Sequence, residues 1–210
     1  MIGQFAIPEK QNEMTAIPEF LSMLEIKGSI ITIDAIGTTG KIMDRIHDCG
    51  ADFLLQVKGN CPELFEEIDR LFNGLTKENA ENNAEFKKKY KGKYSEVRRD
   101  EKNRERYEYR QYMAYHDAEN LKGIQEQRPY VNSIGLSKQV RIKVVQDANG
   151  MDVTPGLKDF LKNGSPKQPK PTSGDQIDND IQKAGLISSL EMNAAEMMRI
   201  KRKHWTILCA

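Results

Sequence analysis

Between Gly28 and Gly37 the chain reads Gly-Ser-Ile-Ile-Thr-Ile-Asp-Ala-Ile-Gly, and this stretch restricts the fold more than any other. Residues 30–33 are β-branched throughout. The run is too short for a helix, so it reads as a buried strand. It ends in a single carboxylate, Asp34, and Gly37 then lets the chain turn. An unpaired aspartate inside an apolar core is costly. At the C-terminal end of a strand in an α/β sheet it can meet water, a partner or a metal instead, and ligands bind at that edge. Asp34 is therefore the first candidate for chemistry. A plainer role competes with it: the same residue suits a turn before the next helix.

The flanking sequence alternates helix and strand. Asn12-Glu13-Met14-Thr15 is expected to lead into a helix, with Pro18 in its first turn, Ile17, Leu21 and Leu24 along one face, and Gly28 as its stop. A second runs from about Thr39 with the stripe Ile42, Met43 and Ile46, and Gly50 at its C-terminal cap. The run from Asp52 to Lys58 reads as the next strand. Asn60 has the chemistry of an N-cap, with Glu63 at the third helical position. That helix carries Leu64, Phe65, Ile68, Leu71 and Phe72 as far as Gly74. Alternation over residues 13–74 implies a sheet with parallel neighbours under covering helices. Residues 1–9 read as the tail of a strand.

Beyond Gly74 the character changes. Residues 87–106 hold ten Lys and Arg against four Asp and Glu, a local charge of +6, with Tyr90 and Tyr94 among them. Such a run is usually a solvated face, but basic side chains with interleaved tyrosines also suit phosphate contact and base stacking. Strands are expected from Arg106 to His116 and from Ser133 to Val145, where Tyr107, Tyr109, Val140, Ile142 and Val144 alternate with polar residues. Residues 147–180 are rich in Gly, Pro, Asn, Asp and Lys and read as a long loop. A short strand at Gly185–Leu190 follows. Asn193 and Glu196 form a capping box for a last helix in which Met197, Ile200 and His204 share a face.

With 210 residues, of which 38% are hydrophobic and 30% charged, the chain can bury one core of ordinary size. A net charge of +1 names no partner for the whole chain. Three cysteines without zinc-type spacing, and no leader or long apolar span, point to a cytoplasmic protein with no membrane partner. The turn Gly37-Thr38-Thr39-Gly40-Lys41 only faintly suggests a phosphate loop, so an unrelated small-molecule domain is a weak third reading.

Several segments, in order, resemble the ISAs-type insertion-sequence transposases, which include the H repeat-associated proteins. Lys10–Pro18 resembles the family's K-S-N-E-I-T-A-I-P, Thr32–Gly37 its T-I-D-A-M-G, and Val57–Asn60 the start of its L-K-G-N-Q, with Cys61 in place of the glutamine. Glu101–Arg110 resembles E-K-G-H-G-R-I-E-T-R, with Arg104 where the family has histidine. Ile187–Leu190 and His204–Ile207 resemble I-S-S-L and H-W-x-I-E-N.

The resemblance implies an α/β fold: an RNase H-like mixed sheet with flanking helices and a β-rich insertion before the last helix. The core part would span 1–74, the basic segment and insertion 75–190, and the C-terminal helix of the core 191–210. It implies a DDE-type transposase catalytic domain for DNA transposition. In such a domain three carboxylates hold two Mg²⁺ (or Mn²⁺) ions, hard cations that take oxygen ligands and keep positions open for phosphate. Asp34 matches the second carboxylate and is the expected metal ligand. The first belongs to a D-G-K motif upstream of the K-S-N-E segment, before this sequence starts. Leu208 stands where the glutamate of H-W-x-I-E-N is expected. Glu108 matches another family glutamate and is the second candidate acid. On this reading the chain lacks activity alone. DNA contacts are expected from Lys58, Asn60, Lys87, Lys88, Lys89, Arg104 and Arg106. The partners would be DNA ending in terminal inverted repeats and a second copy of the chain, with nucleoid association when DNA is bound. The alternative is a non-catalytic DNA-binding protein that works through residues 87–106.

Overall fold

A computed structural model describes residues 13–35, 38–102, 106–117, 119–154, 156 and 180–208, with the side chains of 13–15, 180 and 203–208 left out. The elements are α1 (Glu13–Ser22), β1 (Ile30–Ile33), α2 (Gly40–Asp48), β2 (Asp52–Val57), α3 (Pro62–Glu81), α4 (Asn83–Lys89), β3 (Tyr94–Lys102), β4 (Arg106–Tyr115), α5 (Lys122–Gln127), β5 (Ser133–Lys143), β6 (Asp180–Ser188) and α6 (Ala194–Leu208). The strands form one six-stranded sheet in the order β1-β2-β6-β5-β4-β3. β1 and β2 are parallel, with Thr32 opposite Leu54. β6 runs antiparallel to β2, with Leu186 opposite Gln56. The fold is thus mixed α/β, as the alternation of elements implies. The chain divides into two compact units, Met1–Val97, Tyr112–Ser137 and Ala184–Ala210 in the first, and Arg98–Gln111 with Lys138–Lys183 in the second.

In the first unit the two-residue period of the strands sorts side chains onto two faces. Phe53, Leu55 and Val57, with Met113, Tyr115 and Ile187, join one core cluster that takes in Ile42, Met43 and Ile46 of α2 and Leu64, Ile68, Phe72 and Leu75 of α3. Leu54, Tyr112, Ala114 and Leu186 point the other way and pack with Ala194, Met197 and Met198 of α6. One face thus rests under several helices, whereas α6 supplies the helical cover of the other among the described residues. α6 packs on β1 and β2.

The start of α6 is fixed by the expected capping box. Asn193 Oδ1 accepts the backbone N–H groups of Ala195 and Glu196, both at 3.0 Å, and Glu196 Oε2 accepts that of Asn193 at 2.9 Å. Gly135 of β5 keeps the helix close. A Cβ there would lie 2.5 Å from Met197 Sδ and 3.0 Å from the Met113 carbonyl.

Several boundaries differ from the sequence reading, each for a local reason. α1 begins at Glu13, so Pro18 lies inside it, past the first turn, and the helix ends at Ser22, before Leu24. The N-cap of α3 is Cys61, followed by Pro62, and Asn60 is spent elsewhere. Gly74 is interior to α3, because the buried stripe runs on to Leu75. One exposed glycine costs about 1 kcal/mol relative to alanine, less than the burial it would forfeit. β3 is a strand within the basic run, and α5 has no counterpart in the sequence reading. β6 starts at Asp180, five residues before the expected strand. Residues 146–152 form a turn closed by a bridge between Gln146 and Asp152. Asp147 Oδ1 accepts from Asn149 and Met151, both at 2.9 Å. The rest of the expected loop at 147–180 and the strand tail at 1–9 lie almost wholly outside the described residues.

Candidate functional site

β1 and β2 run parallel, with Ile33 opposite Leu55 and β2 continuing to Val57, so Asp34 and Lys58 both follow strand ends at the same edge of the first unit. Asp34 is exposed. Its Oδ1 accepts the backbone N–H of Ala35 at 2.7 Å, a turn-type bond of the plainer sort anticipated above. Asn60 ties the two strand ends together. Its Oδ1 accepts the Lys58 N–H at 2.9 Å, and its Nδ2 donates to the Ala35 carbonyl. Thr38 closes the same edge by donating from Oγ1 to the Gln56 carbonyl at 2.6 Å. Asn60 therefore links Ala35 to the end of β2, while Lys58 stays exposed.

One residue of this edge has no part in the sequence reading. Lys201 of α6 reaches into a cleft lined by Thr32, Ile33, Leu54, Gln56 and Leu186. Its Nζ donates to Ser137 Oγ at 2.8 Å and lies 5.7 Å from the centre of the Tyr112 ring. Burial lowers its pKa from the usual 10.5 to about 8; the Lys58 ammonium adds to the fall and the Asp34 carboxylate opposes it. A signal was present in the sequence. Ala194, Met197, Met198 and Lys201 stand at i, i+3, i+4 and i+7, so a lysine occupies a position of the apolar stripe.

Glu108 lies in the second unit and is not the surface residue that a strand glutamate usually is. It is 5% exposed. Arg106 Nε stands 2.6 Å from its Oε1, and Arg110 Nη2 donates to its Oε2. Arg110 also bonds Glu101 at 2.6 Å. Both carboxylate oxygens are thus occupied by arginines, an arrangement that holds β4 together. Arg106, expected to touch DNA, is committed to this cluster, and Arg104 lies outside the described residues.

The basic run is partly neutralised by acids from outside it. Lys89 pairs with Glu78 at 2.8 Å, Lys93 with Asp117 at 2.8 Å and Lys102 with Asp152 at 2.6 Å. Glu78 and Tyr90 hold Lys89 above the usual lysine range, and Asp152 and Tyr107 do the same for Lys102. Lys87 and Lys88 are exposed, and among the described residues they meet no acid.

Three carboxylates for two metal ions are not assembled here. Among the described residues no three of His, Cys, Asp and Glu stand together as a metal site. The two-metal set therefore does not fit these residues, and no step through a metal follows from them. No helix among them is long and apolar enough to cross a membrane.

Comparison points to one class of protein: over part of its length the chain is similar to proteins named as putative transposases. Over 72 residues, about a third of its length, it is 47% identical to H repeat-associated putative transposase YhhI of Escherichia coli (strain K12). It is 46% identical to the similarly named YbfD and 47% identical to Putative protein YbfL over stretches of the same length, in the same organism. The matched stretch spans 19% of YhhI and YbfL and 28% of YbfD. No family model and no solved structure matches the chain.

Proposed function

We propose that this chain is an RNase H-like catalytic-domain portion of a DDE-type transposase, that it acts on DNA, and that it does not cut DNA by itself. The observation that carries this is the 44–47% identity over 72 residues shared with several proteins named as putative transposases. The mixed sheet with a carboxylate at the end of β1 agrees with the fold. The silence of the site follows from its acids. Asp34 belongs to no group of three metal-ligating side chains among the described residues, Leu208 occupies the place assigned to a third acid, and both oxygens of Glu108 face arginines.

The test is a strand-cleavage assay with Mg²⁺ or Mn²⁺ on a DNA end carrying a related terminal inverted repeat. Binding without cleavage is the expected outcome. Cleavage that disappears in Asp34→Ala overturns the claim of inactivity, and failure to bind any duplex at low salt overturns the reading as a whole. Binding through residues 87–106 alone is the second reading. Exposed Lys87 and Lys88 favour it, whereas the pairing of Lys89, Lys93 and Lys102 reduces the charge that the segment can offer.

A further inference from the structure

The layer between α6 and the sheet changes character along its length. At one end it is apolar, where Leu54, Tyr112, Ala114 and Leu186 meet Met192, Ala194, Met197 and Met198. At the other, Thr32, Gln56 and Lys201 bring polar atoms into a narrow cleft that is partly open to solvent. Nothing in the packing calls for a lysine at that place, and lysine is rarely buried without a partner of opposite charge. An ammonium has three N–H donors. Ser137, a neutral hydroxyl, takes one of them, and among the described residues no carboxylate lies within ion-pair distance of Lys201. The Gln56 side-chain amide likewise meets no partner among the described residues. Lys58 adds a second cation at the mouth of the same edge, and Asp34 contributes a single opposing charge.

A half-buried ammonium, a free amide and a second ammonium make a site for an oxyanion. Resting on the reading of the chain as a DNA-acting protein, we infer that this cleft is a phosphate subsite in which Lys201 contacts a backbone phosphate beside Asp34, with Gln56 as a second donor. Lysine acts on phosphate as a point charge, without demanding one geometry. The contact therefore supplies affinity and register, not sequence choice. The low pKa agrees with the geometry: the amine is a cation at neutral pH that its own surroundings under-neutralise, and a phosphate would supply the missing charge.

Two measurements on the full chain test this. In the first, fluorescence anisotropy follows binding of a labelled duplex as salt is raised. Lys201→Gln weakens binding for unrelated sequences alike and lowers the salt slope by about one, and Lys201→Arg restores most of the loss. In the second, the unmutated chain is acylated with acetic anhydride, with and without DNA, and each lysine is followed by mass spectrometry. DNA slows acylation of Lys201 severalfold. This arm holds even if Lys201→Gln fails to fold. If DNA binds and shields Lys87 and Lys88 but leaves Lys201 as reactive as before, the subsite is overturned and the reading as a DNA-acting protein stands. If the chain holds no duplex at low salt, both fall together.

Discussion

Glu108 and Lys201 are both drawn away from solvent, and they are treated in opposite ways. Glu108 in the second unit has an arginine on each carboxylate oxygen. Lys201 in the first has a serine hydroxyl, an aromatic ring and a second lysine as company. A buried charge that is fully paired holds structure together. A buried charge left with a neutral partner weakens the fold and is retained where a ligand completes it. The contrast separates Glu108 from Lys201 by physics alone: the arginines turn Glu108 into a fastening, and the cleft leaves Lys201 available.

The contrast can be broken most forcefully at Glu108. Glu108→Gln removes the carboxylate that Arg106 and Arg110 share, and Arg110 keeps Glu101. Loss of one partner of a buried pair is expected to cost about 2–3 kcal/mol, below the range for a fully enclosed pair, because Arg106 remains 36% exposed. Urea unfolding measures this, and a midpoint close to that of the unmutated chain would deny Glu108 its fastening role. Next comes Gly135→Ala. The new methyl meets Met197 Sδ and the Met113 carbonyl. A methionine can swing away but a backbone oxygen cannot, so a loss of about 1–2 kcal/mol is expected from overpacking. A displaced α6 would also carry Lys201 off its serine.

Lys201→Met sharpens the other side of the comparison. The folded-state pKa of about 8 lies below the usual 10.5. The unfolded chain therefore binds more protons between those values, and the stability of the unmutated protein rises with pH through that window. Below pH 8 the penalty on the charged form is fully present. Thermal unfolding should thus show a higher Tm for Lys201→Met at pH 7 and loss of the upward slope from pH 8 to 10.5. A parallel slope in both proteins would mean that another group titrates there. The smallest effect belongs to Lys102→Ala. Its pair with Asp152 is exposed to water, and such pairs contribute little. Its unfolding midpoint should coincide with that of the unmutated chain, and a clear drop would place Lys102 among the fastenings with Glu108.

What the sequence disclosed followed the range of the interactions involved. The capping box at Asn193 and Glu196 and the start of α2 near Thr39 are settled by residues a few positions apart, and the structure has them as read, while the C-cap of α2 is Cys49, with Gly50 one residue beyond it at a φ of 68°. β3 was hidden because its charged residues mask the alternation of a strand. Val97 buries part of itself against the α6 core, and Glu101 pairs with Arg110 of the neighbouring β4. Asn60 deceived because its preference for capping is real but its amide found better use across 25 residues, at the Ala35 carbonyl. The burial of Glu108 and the company of Lys201 depend on which strands become neighbours, and no local pattern states that. The mixed sheet was legible, and Asp34 was placed at a strand end as expected.

The bonds that join β2 to the turn after β6 bear on when the cleft can exist. Phe53 donates to Ser189 Oγ at 2.9 Å across 136 residues, and Ser188 Oγ donates to the Phe53 carbonyl. Closing a loop of that length costs roughly 4 kcal/mol in chain entropy, and pairings so distant in sequence slow folding. A ribosome releases Asp34, Gln56 and Lys58 well before the strand β6 and the helix α6 that complete their surroundings. The cleft therefore forms only after both have emerged, and the edge made by β1 and β2 waits until then for the cation that gives it its character.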